Sequence, residues 1–299
     1  MIKDVFKLCG ISRQGHHQAL SRSLSEASKS ELYLRLMEEV RTIHPGMGLR
    51  TMYGKLQPEG IGRDSFVSLG LQEGFRLKTI EKYTRTTYSV KSNRYKNLLG
   101  DVVLTGINQV WSSDITYYYG FDHFYYIVLL MDVYSRRIIG YSLADNMRAE
   151  NNLIALKMAL KTRCVANYNN KLIHHSDKGT QYASDKYTDA LENAGIQISM
   201  CKEVYENTHI ERLNDTIKNQ YLYRMQITSE KQLKVKLSEV IKSYNETRPH
   251  RSLNQQSPIE YEKNLLTISE EKRVKMTIYT ASETQFFQTA TQMELFNSL

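Results

Sequence analysis

The spacing of hydrophobic and polar positions changes near residue 108. Before that point apolar residues recur every three or four positions, which is typical of amphipathic helices. Helices are predicted from Ser12, as N-cap, to residue 20, and over residues 31–40, 49–56 and 64–71. The buried stripe of the helix that begins near residue 31 is predicted to be Leu32, Leu36, Val40 and Ile43.

After residue 108 the pattern is typical of strands separated by helices. Residues 124–132 are almost all apolar, which predicts a strand buried on both faces. The predicted order is strands 111–118, 124–132 and 137–143, helix 150–166, strand 171–176, helix 184–194, strand 196–200, and helices 208–223 and 229–244. Short turns between the first three strands predict an antiparallel meander. This order predicts an α/β, ribonuclease-H-like fold with a mixed five-stranded sheet flanked by helices.

The distribution of charge along the chain indicates which part could bind a polyanion. The 299-residue chain has a formal net charge of +8. Residues 1–107 contain 17 Lys and Arg against 10 Asp and Glu, whereas residues 108–299 contain 23 against 22. A basic region joined to a near-neutral domain favours binding of a polyanion such as DNA by the first third of the chain. A solubilising surface charge is the alternative explanation.

Composition excludes several classes of protein. No apolar run has the length of a membrane span, and the N-terminus has no signal-peptide core. A cytoplasmic location is therefore expected, without a membrane partner. Cys9, Cys164 and Cys201 are widely separated, which favours free thiols over a zinc site or a disulfide framework.

Four regions are predicted. Residues 1–78 form a helical DNA-binding region with a helix-turn-helix corner at residues 9–15, although a helical bundle that binds protein is an alternative. Residues 79–107 are a basic linker that either follows a phosphate backbone or is simply solvated. Residues 108–262 are the catalytic core, and residues 263–299 are a tail in which 274–279 is a possible strand.

Three acidic residues lie where such a fold can bring them together. Asp114 lies in the first predicted strand, Asp177 ends the fourth strand before a Lys178–Gly179 turn, and Glu211 lies in a helix. Carboxylate oxygens are the ligands that Mg²⁺ and Mn²⁺ prefer, and two such ions are a common device for breaking and joining phosphodiesters. The sequence therefore predicts a divalent-metal site for nucleic-acid chemistry.

Neighbouring residues support these positions. Because side chains alternate along a strand, His175 is predicted beside Asp177, and Ser112 and Thr116 on the face of Asp114. An apolar seam docks the helix on the sheet with Glu211 at its margin; the seam is Ile210, Leu213, Ile217 and Tyr221. Asn207 and Asp215 are predicted to share the stripe of Glu211.

Each acid also has a structural explanation. An Asp at a strand end often caps a turn, and a helical Glu is usually solvated. Asp132 is the main competitor, since it ends a buried strand; it is a ligand, a turn cap, or a partner of Arg136. His174 and His175 are interpreted as structural, because no further His or Cys stands at zinc-site spacing.

Six motifs in a fixed order resemble a known family. They are VWSSDIT at residues 110–116, MDVYSRRIIG at 131–140, HSDKGTQY at 175–182, SM at 199–200, ENTHIER at 206–212 and YNETRPHRSL at 244–253. Together with LCGISRQG at 8–15, they are similar to the OrfB-type transposases of the IS3 group of bacterial insertion sequences. The resemblance extends to about residue 262. It implies an integrase-like core, a helix-turn-helix arm and a Mg²⁺-dependent DDE triad.

The resemblance also assigns residues. It implies that Asp114, Asp177 and Glu211 are the triad and that Asp132 is not catalytic. The spacer between Asp177 and Glu211 has 33 residues, slightly fewer than is usual in the family, and the shortening lies at 201–205. Glu203 and Glu206 are the nearby alternatives to Glu211, but neither precedes the RLNDTIK run at residues 212–218.

The expected function is metal-dependent nicking of element ends and strand transfer, with Mg²⁺ or Mn²⁺, as two ions, as cofactor. The expected DNA contacts are Lys178, Arg212, Lys218, Arg50 and Arg13. Expected partners are the element ends and target DNA, further copies of the chain, and an upstream OrfA-type protein or fusion; the expected location is the nucleoid. The alternatives are a non-catalytic DNA-binding regulator and a nuclease on the same fold.

Overall fold

The computed structural model describes residues 12–80, 94–201 and 207–278. The chain divides into two compact units, Met1–Thr79 and Ile80–Leu299. The proposed helix-turn-helix corner at residues 9–15 falls mostly outside the described residues, as do Glu203, Glu206 and most of the proposed linker. In the described parts of the chain, no helix is both long enough and apolar enough to cross a membrane.

The first unit contains three helices around one apolar cluster. Helix α1 spans Arg13–Ile43, α2 spans Leu49–Leu56 and α3 spans Arg63–Gln72. The prediction of separate helices before residue 20 and after residue 31 was wrong, because α1 runs through both. The Ser12 hydroxyl caps α1 as predicted, accepting a hydrogen bond from the Gly15 backbone N–H at 2.9 Å.

The buried stripe of α1 is also different from the predicted one. Tyr33, Met37 and Val40 are buried against α2 and α3, whereas Leu32 and Ile43 are about half exposed. Of the predicted stripe, only Val40 is fully buried. The Tyr33 hydroxyl donates to the Glu59 carbonyl at 2.6 Å, which ties the helix to the loop before α3.

The second unit is built on a five-stranded sheet that confirms the predicted fold. The strands are β2 (Val110–Gly120), β3 (His123–Asp132), β4 (Ile138–Ala144), β5 (Leu172–Ser176) and β6 (Ile196–Met200). Their order is β4-β3-β2-β5-β6. The first three pair antiparallel and β5 pairs parallel to β2 and β6, so the sheet is mixed.

Helices cover both faces of this sheet. Helix α4 (Ala149–Arg163) and α5 (Asp185–Asn193) pack on one face, and α6 (Thr208–Asp215) and α7 (Glu230–Thr247) pack on the other. Strand β3 is buried on both faces, as its apolar run predicts: Leu129 packs with α6 and α7, and Leu130 packs with α4. Gly140 lets α4 approach closely, since a Cβ there would lie 2.1 Å from the Ala155 carbonyl oxygen.

The helix predicted over residues 208–223 is not uniform. After α6 the backbone forms a π-helix over Thr216–Tyr221 and a 3-10 turn over Leu222–Arg224. The predicted seam Ile210, Leu213, Ile217 and Tyr221 is nonetheless buried in one cluster. The apolar face of the segment therefore stays on the sheet even though the helix type changes.

The segment after α7 packs against the core. Helix α8 (Pro258–Leu265) was not predicted; it begins with a capping box between Ser257 and Glu260. The possible strand near the end of the chain is present as β7 (Met276–Thr277), which pairs antiparallel with β1 (Val103–Leu104). The Tyr134 hydroxyl donates to the Val274 carbonyl at 2.8 Å. Residues 263–278, interpreted from sequence as part of a tail, therefore contact the sheet domain.

Candidate active site

Two parallel strands bring Asp114 and Asp177 to neighbouring positions. In the β2–β5 pairing, Ser112 lies opposite His175 and Ser113 opposite Ser176. Asp114 follows Ser113 along β2, and Asp177 follows Ser176 directly after the end of β5. The two side chains therefore start from neighbouring positions on the same face of the sheet. The carboxylate of Asp177 accepts a hydrogen bond from the Gly179 backbone N–H at 3.0 Å, which holds the turn after β5.

Two asparagines attach the Glu211 helix to the strand of Asp114. Asn207, the N-cap residue of α6, accepts a hydrogen bond from the Ser112 hydroxyl and donates to the Ser113 carbonyl. At the other end of α6, the Asn214 amide donates to the Asp114 Oδ2 at 2.7 Å. Because Glu211 lies four residues after Asn207 and three before Asn214, all three occupy one helix face.

The charges of Asp177 and Glu211 both act on Asp114. The pKa of Asp114 is raised to about 8, first by burial and then by the charges of Asp177 and Glu211, while hydrogen bonds from the Ile115 backbone and the Asn214 amide oppose the rise. Burial also raises the pKa of Asp177 and of Glu211. Asp114 keeps a partly exposed surface despite this burial. Like charges held together out of water favour a bound cation.

The residues fit a divalent cation by their chemistry rather than by a closed cage. All three acids supply hard oxygen ligands. The Asn214 Oδ1 is buried with no hydrogen-bond partner among the described residues, which leaves another oxygen for an ion or its water. Within residues 12–80, 94–201 and 207–278, no three His, Cys, Asp or Glu side chains lie close enough to enclose a metal. The fit to a cation therefore rests on the oxygen donors of the three acids and Asn214, and not on a closed group of ligands.

Asp132 has a structural role. Its Oδ1 accepts hydrogen bonds from the backbone N–H groups of Tyr134 and Ser135, at 3.1 and 3.2 Å, so it caps the turn after β3. Its Oδ2 accepts from the Asn108 N–H at 2.7 Å and pairs with Arg163 at 3.0 Å. Of the alternatives predicted for Asp132 the turn cap is confirmed, whereas its ion-pair partner is Arg163 and not Arg136. The partner is supplied by the end of α4, which is distant in sequence.

Comparison with known proteins identifies the family. The family described as Integrase core domain matches residues 105–204, and a second family of that description matches residues 194–258. The chain is 31% identical to an uncharacterised 31 kDa protein of insertion element IS600 from Shigella sonnei, over 83% of this chain and 94% of that protein. It is 30% identical to the transposase InsF of insertion sequence IS3A from Escherichia coli K12, over 65% of this chain and 68% of InsF. The chain belongs to the IS3-type transposases.

The chain is therefore a DNA transposase, a polynucleotidyl transferase with an integrase core, as the sequence motifs predicted. It is also similar to the HTLV-2 integrase catalytic core domain in complex with magnesium, with a TM-score of 0.42 and 16% identity over 56% of this chain and 99% of that one.

The basic residues predicted to contact DNA lie in different places on the transposase. Lys178 is half-buried in the turn after Asp177, and Arg212 is exposed on α6. The Lys218 ammonium lies 4.9 Å from the centre of the Tyr117 ring, a cation–π contact that fixes its position. Arg50 is exposed on α2 of the first unit. For Arg13 the structure describes the backbone alone, at the start of α1.

The two adjacent histidines are buried in the transposase core. His174 Nε2 lies 2.9 Å from the Tyr187 hydroxyl, and His175 Nδ1 lies 2.9 Å from the Ser199 hydroxyl. Burial lowers the pKa of His174 to about 3 and that of His175 to about 4, so both imidazoles are neutral at physiological pH. Their hydrogen bonds connect β5 to α5 and β6, which agrees with the structural interpretation of both residues.

Asn214 is the residue that sequence reasoning missed. Asp215 was placed on the stripe of Glu211, but it is exposed and accepts a hydrogen bond from the Asn219 amide at 2.6 Å. A signal was present in the sequence, because Asn214 lies three residues after Glu211 and is polar within an apolar seam.

Asn214→Ala is expected to slow the transposase without unfolding it. The variant loses the amide that lowers the pKa of Asp114 and fixes the Oδ2 position, so strand transfer is expected to fall about tenfold and its pH optimum to rise. Initial rates over a pH series at saturating DNA measure both effects. Asn219→Ala is the matched control, since its amide contacts Asp215 instead. An unchanged rate and pH profile for Asn214→Ala would remove Asn214 from the site.

Proposed function

We propose that Asp114, Asp177 and Glu211 are the catalytic triad of this transposase and hold two divalent ions, Mg²⁺ or Mn²⁺. The observation that carries the proposal is geometric: the pairing of β2 with β5 brings Asp114 beside Asp177, and hydrogen bonds of Asn207 and Asn214 hold the Glu211 helix against β2. The three groups come from two strands and a helix of the integrase core, and rigid elements of this kind can hold ligands in fixed positions. A magnesium-bound integrase core among the similar structures supports the choice of ion.

The chemistry is phosphodiester cleavage followed by joining. Bound between the carboxylates, the ions would activate the attacking oxygen and stabilise the leaving oxygen. Water first attacks the phosphorus at the element end and releases a 3′-hydroxyl. That hydroxyl then attacks a target phosphodiester, so one P–O bond forms as another breaks. The Asn214 amide keeps Asp114 oriented through both steps, and no side-chain nucleophile is required.

The test is strand transfer by the purified transposase with duplexes that carry the element's own terminal repeats. Joined products are expected with Mg²⁺ or Mn²⁺ and none with EDTA. Sequence-specific binding without any metal-dependent cleavage would instead favour the non-catalytic regulator. Cleavage of RNA–DNA hybrids without joining of element ends would favour the nuclease.

The proposed assembly extends to DNA and further copies of the chain. Lys178, Arg212 and Lys218 would contact phosphates near the site, and the first unit, with Arg13 and Arg50, would bind DNA as a helix-turn-helix arm. The assembly would form on the paired ends of the element. An upstream OrfA-type protein or fusion and a location on the nucleoid complete the proposal.

Removing one carboxylate is expected to stabilise the metal-free fold. Because the folded pKa of Asp114 is raised to about 8, its ionisation opposes folding increasingly as pH rises from about 4 to 8. Asp114→Asn is therefore expected to raise the free energy of unfolding at pH 8.5 by on the order of 1–3 kcal/mol, and by little at pH 4.

Urea unfolding in EDTA at these pH values measures the difference, and a repeat with Mg²⁺ tests the ion. Mg²⁺ is expected to stabilise the wild type at pH 8.5 and to stabilise Asp114→Asn much less. Equal stabilisation of both proteins by Mg²⁺ would place the ion elsewhere.

A further inference from the structure

A basic cleft lies beside the helix that carries Glu211. Its volume is about 570 Å³ and its lining includes Arg136, His209, Arg212, His250, Arg251 and Ser252. None of the described residues that line it is acidic. His209 and Arg212 flank Glu211 on α6, so the cleft begins within one helical turn of the third carboxylate.

Two arginines of this cleft, Arg136 and Arg212, lie close enough to repel each other. Burial lowers the pKa of the Arg136 guanidinium, and the charge of Arg212 lowers it further. Asp132 is an acid that acts on Arg136 in the opposite direction, but its carboxylate is already paired with Arg163. Arginines that crowd together in a partly desolvated cleft favour a bound anion, and their planar guanidinium groups match phosphate oxygens.

The backbone of Arg136 is a second indication. Arg136 has a φ of 61°, the left-handed region in which glycine is the easiest residue to accommodate. It lies in the turn between β3 and β4, and its Nη2 lies 3.4 Å from the Met276 sulfur. The contact with Met276 fixes the guanidinium group at the wall of the cleft.

A ring nitrogen of His250, Nε2, is the third indication, because it is buried without a hydrogen-bond partner among the described residues. The ring packs edge-on against Tyr244, with centroids 4.9 Å apart, and the backbone is held by a bridge to Gln256. An imidazole fixed in this way, with one nitrogen unsatisfied, can donate to an oxygen of a bound group.

We propose that this cleft binds a phosphate of the DNA backbone close to the phosphodiester attacked at the carboxylates. The proposal rests on the proposed function, because it places the reacting strand over Glu211. Phosphates follow one another about every 3.4 Å along each strand of a duplex axis, so a strand at the carboxylates carries phosphates within reach of the cleft. Free inorganic phosphate has the same chemistry and is the other possible source of the anion.

The test removes two exposed charges and neutralises DNA phosphates one at a time. Arg212→Gln/Arg251→Gln changes two exposed side chains, so the fold should be retained, which the melting temperature verifies. Lys157→Gln/Lys161→Gln removes the same charge from exposed positions of α4, on the other face of the sheet. Binding is measured in EDTA to terminal-repeat duplexes with single methylphosphonate substitutions, so the result does not depend on catalysis.

For the wild type and the lysine control, neutralising one or two phosphates near the scissile position is expected to weaken binding roughly tenfold. The arginine variant is expected to bind unmodified DNA roughly tenfold more weakly, and neutralising those phosphates should not weaken its binding further. The slope of its DNA affinity against salt concentration, on logarithmic axes, should be smaller by about one.

If neutralising each of those phosphates weakens binding by the arginine variant as much as by the wild type, the proposal is overturned. The proposal would also be overturned if calorimetry showed that the arginine variant loses binding of inorganic phosphate while its binding of DNA is unchanged. Absent strand transfer by the wild type would instead overturn the triad and leave this scan unaffected.

Discussion

Asp114→Asn and Glu211→Gln, made separately, are each expected to lower strand transfer roughly a thousandfold, because a lost metal ligand removes several kcal/mol of transition-state stabilisation. Both substitutions keep side-chain volume and remove only the charge. Asp114 contacts Asn214, and Glu211 lies on the face of α6 that Asn207 and Asn214 attach to β2. Product formation over time with Mg²⁺ measures the loss.

The control for this prediction is a neighbouring acid. Asp215→Asn removes the same charge from the same helix, but Asp215 is exposed and contacts Asn219. Its strand-transfer rate is expected to stay within about twofold of the wild type. Undiminished activity in Asp114→Asn or Glu211→Gln would exclude that residue from the triad.

Arg163→Met is expected to lower the free energy of unfolding by about 3–5 kcal/mol, since it leaves the buried Asp132 without its cation and Glu262 with Arg137 as its remaining one. Arg163 pairs with Asp132 at 3.0 Å and with both oxygens of Glu262, at 2.7 and 2.9 Å. Its side chain is 5% exposed, against 1% for Asp132 and 9% for Glu262. These contacts connect the ends of β3 and α4 to α8.

The pH dependence of this loss gives a second measurement. Burial acts to raise the pKa of Glu262, but Arg163 holds it below the usual value, so the wild type keeps this stabilisation down to acidic pH. In Arg163→Met the two acids can protonate, and the difference from the wild type should shrink as pH falls from 7 to 4. Lys161→Met, an exposed change on the same helix, is the control. A loss below 1 kcal/mol at pH 7 would contradict this role.

The sheet domain was predictable because its elements have strong local patterns. The apolar run over β3 can be satisfied only by a strand buried on both faces, and Asp114 and Asp177 follow from alternation along two strands. The pairing of β2 with β5 then places both acids together. These are statements about periodicity and topology, which a sequence carries directly.

The first unit was predicted less well because its helix is not defined by its own apolar pattern. Residues 21–30 are rich in serine, yet α1 continues through them, and neither Gly nor Pro interrupts the chain between Gly15 and Pro45. Its buried residues are chosen by contact with Phe66 and Met52 of the other helices. Tertiary packing therefore decides a stripe that helical spacing alone leaves ambiguous.

The contacts that complete the site were also beyond the sequence. Asn214 was missed because its role depends on how α6 packs against β2, which brings its amide to the Asp114 carboxylate. The pairing of Asp132 with Arg163 joins residues 31 positions apart, whereas Arg136 was the nearer choice in sequence. Long-range polar contacts of this kind follow from packing and have no local pattern.

The position of the metal is the most direct test of the central claim. Crystals of the transposase soaked in Mn²⁺ would reveal bound ions by anomalous scattering. We expect two peaks among the carboxylates of Asp114, Asp177 and Glu211, and no peak among them in Asp114→Asn crystals. Peaks at Asp132 and Glu262 instead, or ordered carboxylates without any peak at millimolar Mn²⁺, would contradict the account.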